Sequence, residues 1–170
     1  MPCYVRIAKE QILYGVKYMS NIYYRKLNTD DLPVFISMRI SQLQEEGARA
    51  TFDLAPALSD YYLRHLSDGT FVSWLALEDK KIIATSGMSF VEKPPYYSNP
   101  SGKIGLLSSM YTLEEYRRRG IAKVLLGKVV EVAKAYGCCA VQITASDAGV
   151  LLYTDFGFVK NENFMQYTIL

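Results

Sequence analysis

The sequence predicts an α/β (α+β) fold, a mixed β-sheet flanked by helices, and three observations predict it. Two short apolar runs, Ile104 to Thr112 and Ala140 to Ala145, flank a long amphipathic stretch, the signature of a strand–helix–strand unit with parallel strands. Two β-rich runs, Phe71 to Leu77 and Ile82 to Val91, are separated only by Glu78, Asp79, Lys80 and Lys81, which suits an antiparallel hairpin. Upstream of both, two stretches carry apolar residues at helical spacing.

The 170 residues suit one domain. No apolar run approaches the roughly 20 residues needed to span a bilayer, and the N-terminus carries Arg6, Lys9 and Glu10, so a cytoplasmic location without membrane association is expected. A net charge of +2 indicates no general polyanion-binding surface, so no nucleic-acid partner is expected and any anion site must be local. Cys3, Cys138 and Cys139 form neither a disulfide framework nor a metal clamp, and the single histidine, His65, leaves little for a metal site. No metal is expected.

Residues 1–20, with a weak period through Ile7, Ile12 and Val16, read as an N-terminal extension or extra helix; the main domain is placed at 21–170. Ile22 to Lys26 reads as a strand, and Asn28, Thr29, Asp30 and Asp31 supply capping side chains for a helix. Leu32, Phe35, Ile36, Ile40 and Leu43 are its apolar face, with Arg39 on that face and Gly47 as the stop. Asp53 and Pro56 start a second helix, along which Leu54, Ala57, Leu58, Tyr61 and His65 share a face. After the hairpin, Pro94, Pro95, Pro100 and Gly102 make Glu92 to Lys103 a loop that presents Tyr96 and Tyr97. The run Phe164 to Leu170 is strand-like and is expected to complete the sheet.

Between the strand ending at Thr112 and the long helix stands Glu114-Glu115-Tyr116-Arg117-Arg118-Arg119-Gly120-Ile121-Ala122. The first N–H groups of a helix lack partners and point along a favourable dipole, so a phosphate placed there receives donors and positive potential together. Gly120 and Ala122 keep the approach open, and three arginines offer charge-assisted contacts. Ile121, Val124, Leu125, Val129, Val132, Ala133 and Tyr136 make the helix's buried stripe, and Gly137 caps its end.

Arg117, Gly120 and Ala122 match the [Q/R]-x-x-G-x-[G/A] pattern of the GNAT acetyltransferases, and Leu152-Tyr153-Thr154-Asp155-Phe156-Gly157-Phe158 resembles that family's later signature. Met110-Tyr111-Thr112 and Glu115-Tyr116-Arg117 resemble the strand and turn before the first motif. The resemblance implies a GNAT fold, with a mixed sheet of about six to seven strands, a splayed parallel pair and about four helices. It implies acetyl-CoA as acyl donor, held by Met110, Tyr111, Thr112, Arg117, Arg118, Arg119, Gly120, Ile121, Ala122 and Tyr153; Ser146 stands where many members of the family have an asparagine, and either caps the following helix or contacts the cofactor. It further implies direct attack by a primary amine through a tetrahedral intermediate, with the Met110 backbone N–H as oxyanion donor and Tyr153 as general acid. A simple hydrogen bond from Tyr153 to the donor is the competing role.

Arg39, Tyr61, Tyr62, Tyr96 and Tyr97 are the candidates for binding a small-molecule or peptide amine. The strand Ile104 to Thr112 contains no carboxylate, so deprotonation of the amine falls to a water relay or to a helical carboxylate such as Glu45 or Glu46. A non-catalytic acetyl-CoA or CoA sensor is the alternative function, and either a monomer or a homodimer fits.

Overall fold

The structure is a computed structural model and describes residues 10–13, 16–19, 21–161 and 165–169. Strands β1 (Glu10–Leu13) and β2 (Val16–Met19) pair antiparallel in a two-stranded sheet of their own. Of the expected N-terminal extension or extra helix, residues 10–13 and 16–19 are paired strands rather than helix, while Ile7 lies outside the described residues.

Among the described residues the main sheet has six strands: β3 (Ile22–Lys26), β4 (Phe71–Val72), β5 (Trp74–Glu78), β6 (Lys81–Glu92), β7 (Lys103–Thr112) and β8 (Ala140–Gln142). Their order is β3-β5-β6-β7-β8, with β4 also paired to β6. Ser73 divides the run read as one strand into β4 and β5. The Ser86 hydroxyl bridges the break, donating to the Trp74 carbonyl at 2.9 Å and lying 3.1 Å from its N–H. Every pairing is antiparallel except β7 with β8.

The residues 165–169 form no strand, and Met165, Tyr167 and Ile169 are about nine-tenths exposed. The expected completion of the sheet is thus absent over these residues; Phe164 and Leu170 lie outside the described ones. Strand β8 also stops three residues short of the expected Ala145, so it offers few ladder groups to a further strand.

Helices α1 (Leu32–Glu45) and α2 (Ala55–Ser67) cover one face of the sheet, and α3 (Ile121–Tyr136) and α4 (Asp147–Phe156) the other. A sheet covered on both faces needs apolar residues pointing both ways, which is why β6 is buried almost continuously from Ile82 to Met88. Leu75 and Leu77 join the α1/α2 cluster with Phe35 and Tyr62, whereas Ala76, Ile83 and Ala84 face Ile121 and Leu125 of α3. The buried residues Ile121, Leu125, Leu126, Val129 and Ala133 fasten α3 along the sheet and so hold its N-terminus in place. Before α1, Asn28 and Asp31 form a capping box, and Arg25 donates two hydrogen bonds to Asp31 at 2.6 and 2.7 Å, aligning β3 with the helix that follows. Among the described residues, no helix is long and apolar enough to cross a membrane.

Candidate functional site

Strands β7 and β8 touch only at Ile104–Ala140, Gly105–Val141 and Leu106–Gln142. Beyond Leu106, β7 continues for six residues to Thr112 while β8 has ended, so a gap opens on that side of β7. On its other side β7 stays paired to β6 as far as Thr112, with a register shift opposite Thr85 to Gly87. Ser109 sits at this bulge with φ +52°, a left-handed conformation that costs a non-glycine residue of the order of 1–2 kcal/mol. Two contacts hold it: the Thr85 hydroxyl donates to the Ser109 carbonyl at 2.8 Å, and the Tyr62 hydroxyl lies 3.3 Å from Ser109 Oγ. Met110, the expected oxyanion donor, comes directly after the bulge and falls outside the β6 register. A bulge bends its strand and can re-aim the residue beside it.

At the same end of β7, a 3-10 turn (Glu114–Tyr116) leads into α3. Arg118 at φ +62° and Gly120 at φ +79° fold the turn back on itself, and Gly120 caps α3 without a side-chain bond. The first-turn N–H groups of α3 thus have no side-chain acceptor, and a methyl group built on Gly120 would meet nothing within 4 Å. This open, electropositive cradle suits a diphosphate.

The three arginines divide the work. Arg117 donates through Nε to the Thr112 carbonyl at 2.9 Å and through Nη2 to Glu45 at 2.6 Å, and lies over the Tyr111 ring. Arg119 donates to the Glu115 carbonyl at 2.7 Å and stacks on Tyr116. Among the described residues Arg118 alone of the three has no hydrogen bond or ion pair, leaving its guanidinium for a ligand. Arg118→Ala is expected to weaken acetyl-CoA binding about tenfold with no change in melting temperature, as read by titration and calorimetry.

Tyr153 enters from α4. Its side chain packs with Phe90, Leu107, Leu126 and Phe158, and Met110 lies against the same cluster. The residue is only 7% exposed, and its hydroxyl makes no hydrogen bond among the described residues. Burial, assisted by the negative charge of Glu46, pushes its pKa up to about 12, so the proton is retained at neutral pH. Gly149, one turn earlier, makes room for the ring: a methyl there would stand 2.7 Å from Tyr153 Cε2. Glycine to alanine ordinarily stabilises a helix by about 1 kcal/mol. Here Gly149→Ala is instead expected to leave the fold intact while displacing the ring, lowering acetyl transfer at least tenfold in a steady-state assay.

Ser146 is the N-cap residue of α4 and makes no side-chain cap bond, so its hydroxyl remains available at the mouth of the gap. Tyr62 is 3% exposed and supports the bulge, and Tyr61 lies 2.8 Å from Ser89 Oγ in a hydrogen bond and packs tilted against the His65 ring. Tyr96 and Tyr97 are exposed on the loop joining Glu92 to Lys103. That loop meets the start of β7, roughly 30 Å along the strand from Thr112, so the structure separates the two tyrosines from the cradle. Arg39 donates to Gln42 at 3.0 Å, and its charge reaches Tyr62. Thr85, Gln42 and Gly149 escape the sequence reading. The available signals are Thr85 within the apolar run of β6, Gln42 three residues after Arg39, and a glycine ahead of Tyr153.

Against known proteins, the model of the acetyltransferase (GNAT) family matches residues 37–158. The structure is similar to that of a predicted acetyltransferase from Clostridium acetobutylicum solved with acetyl-CoA. The TM-score is 0.84 at 31% identity, covering 86% of this chain and 96% of that one. A GCN5-related N-acetyltransferase from Ralstonia eutropha JMP134 gives a TM-score of 0.79 at 25% identity over 86% and 98% of the two chains. The glucosamine-6-phosphate N-acetyltransferase of Arabidopsis thaliana shares the fold, with a TM-score of 0.68 at 20% identity over 86% and 97%. No match is found among curated proteins.

Proposed function

The chain belongs to the GNAT acetyltransferase family, and from that premise we propose that it transfers the acetyl group of acetyl-CoA to a primary amine by direct attack. One observation carries this reading: the parallel strands part after Leu106, and the gap so formed runs between the open N-terminus of α3 and a buried, unpartnered Tyr153. The α3 cradle with Arg118 receives the pyrophosphate, and the unpaired side of β7 from Met110 to Thr112 receives the pantetheine arm. The thioester then lies beside the bulge. The Met110 N–H stabilises the oxyanion, and Tyr153 supplies the proton that the departing thiolate takes up.

Arg117 and Arg119 shape the cradle in this scheme, while their backbone remains beside the ligand. Their charges still raise the local potential although both are engaged.

Calorimetric titration with acetyl-CoA, coenzyme A and NAD, followed by a thiol-release assay over a panel of amines, tests the proposal. Binding of the first two ligands and none of NAD, with amine-dependent thiol release, is the expected result. Tight binding without release under any amine would favour the sensor role, and absence of coenzyme A binding would overturn both.

A further inference from the structure

Helix α1 packs its buried face on the sheet through Leu32, Phe35, Ile36 and Met38, yet Gln42 continues that face at 8% exposure. Arg39, Gln42 and Glu46 stand at i, i+3 and i+7, one row along the helix. They are joined head to tail: Arg39 Nη1 donates to Gln42 Oε1 at 3.0 Å, and Gln42 Nε2 donates to Glu46 Oε1 at 3.0 Å. The amide is oriented by both neighbours, since its oxygen must face the guanidinium and its NH₂ the carboxylate. A buried amide in an apolar helix face costs desolvation that a leucine at Gln42 would avoid.

The C-terminal end of α1 meets the site: Glu45 is bonded to Tyr111 and Arg117 at the end of β7, Tyr62 abuts Ser109 at the bulge, and Glu46 follows Gln42 by one turn on the face that α1 buries. The negative charge of Glu46 adds to the burial that raises the Tyr153 pKa. The adjacent Glu45 is committed elsewhere. It accepts from the Tyr111 hydroxyl at 2.5 Å and from Arg117 at 2.6 Å, and these two bonds hold its carboxyl below the usual carboxylate range. Among the described residues the Glu46 carboxylate has only the neutral Gln42 amide as a hydrogen-bond partner, and the residue is exposed.

We propose that Glu46, oriented by Gln42 and Arg39, receives the acceptor's ammonium group and removes one of its protons. The inference rests on the acetyltransferase reading above. In the step, an N–H bond of the ammonium breaks, its electron pair stays on nitrogen, and the proton passes to a Glu46 oxygen. The freed pair forms the N–C bond to the thioester carbonyl, whose π pair moves to oxygen. When that pair returns, the C–S bond breaks with its electrons on sulfur, which takes the Tyr153 proton. The nitrogen's surplus proton restores Tyr153, and Glu46 releases its own to solvent. The two roles cooperate, because neutralising Glu46 removes a charge that opposes proton release from Tyr153. Gln42 and Arg39 are positioning residues.

Two small acceptors test this: methylamine, a cation at neutral pH, and hydroxylamine, largely uncharged there. Thiol release from acetyl-CoA is measured for the wild type and Glu46→Gln, with acetyl-CoA binding measured separately. Glu46→Gln is expected to lower the methylamine rate about 100-fold, to leave the hydroxylamine rate near that of the wild type, and to leave acetyl-CoA affinity unchanged. Equal losses with the two acceptors, or an undiminished methylamine rate, would overturn the assignment. A wild-type protein that binds acetyl-CoA but acetylates neither of these nor any amine of the panel would overturn the acetyltransferase reading itself, and the role of Glu46 with it.

Discussion

Tyr153→Phe is expected to lower kcat for acetyl transfer by about 100- to 1,000-fold while acetyl-CoA affinity stays within about threefold of the wild type. The ring supplies the packing, against Phe158 at 5.6 Å and the cluster of Phe90, Leu107 and Leu126, and phenylalanine preserves it. The hydroxyl has no protein partner among the described residues, so removing it leaves no buried group unsatisfied and no stability loss from that source. In the proposed mechanism, what disappears is the proton for the thiolate. With its pKa raised to about 12, chiefly by burial, Tyr153 stays protonated across the neutral and mildly alkaline range. Its ionisation therefore imposes no alkaline loss of activity until the pH approaches that value. A pre-steady-state comparison of the two proteins separates the roles: an unchanged kcat would reduce Tyr153 to a packing residue, and a change confined to KM would make it a binding group.

Gly120→Glu is expected to abolish acetyl-CoA binding, with at least a 100-fold rise in dissociation constant, in a protein that still folds. At φ +79° a side chain is strained by about 1–2 kcal/mol, which lowers the melting temperature by several degrees in a domain of this size. The surroundings add no clash, because nothing lies within 4 Å of a Cβ at this position. The new carboxylate sits at a helix N-terminus where negative charge is favoured, and it occupies the donors that the proposed pyrophosphate site would use. Affinity falls through competition and repulsion together. Gly120→Ala shares the strain without the charge, so a much smaller loss of binding in that variant isolates the electrostatic part. Retained acetyl-CoA affinity in folded Gly120→Glu would remove the cradle from the site.

Much of this was legible in the residues because it is local. The period of Ile121, Leu125, Val129 and Ala133 places α3 on a sheet, and Gly137 ends it at φ +89° as a left-handed cap. The capping box of Asn28 and Asp31 and the hairpin turn at Asp79 and Lys80 are likewise written within a few residues. Periodicity served poorly where it was weak: residues 10–13 and 16–19 pair as strands, and 165–169 form none despite their apolar alternation. Strand pairing needs a partner edge that no single segment specifies.

The division among the arginines lies beyond any local rule. Arg117, Arg118 and Arg119 are the same residue in succession, and their different employment depends on Glu45, 72 positions from Arg117, and on the Tyr111 and Tyr116 rings. The choice between Glu45 and Glu46 is of the same kind, set by which carboxylate the tertiary fold brings to Arg117. The sequence by itself determined the helices, the hairpin and the glycine turn that starts α3, since backbone period, capping and φ preference act over a few residues. The tertiary structure alone decided where β7 and β8 part, which arginine stays free and which carboxylate remains open, since each depends on contacts between segments far apart in the chain.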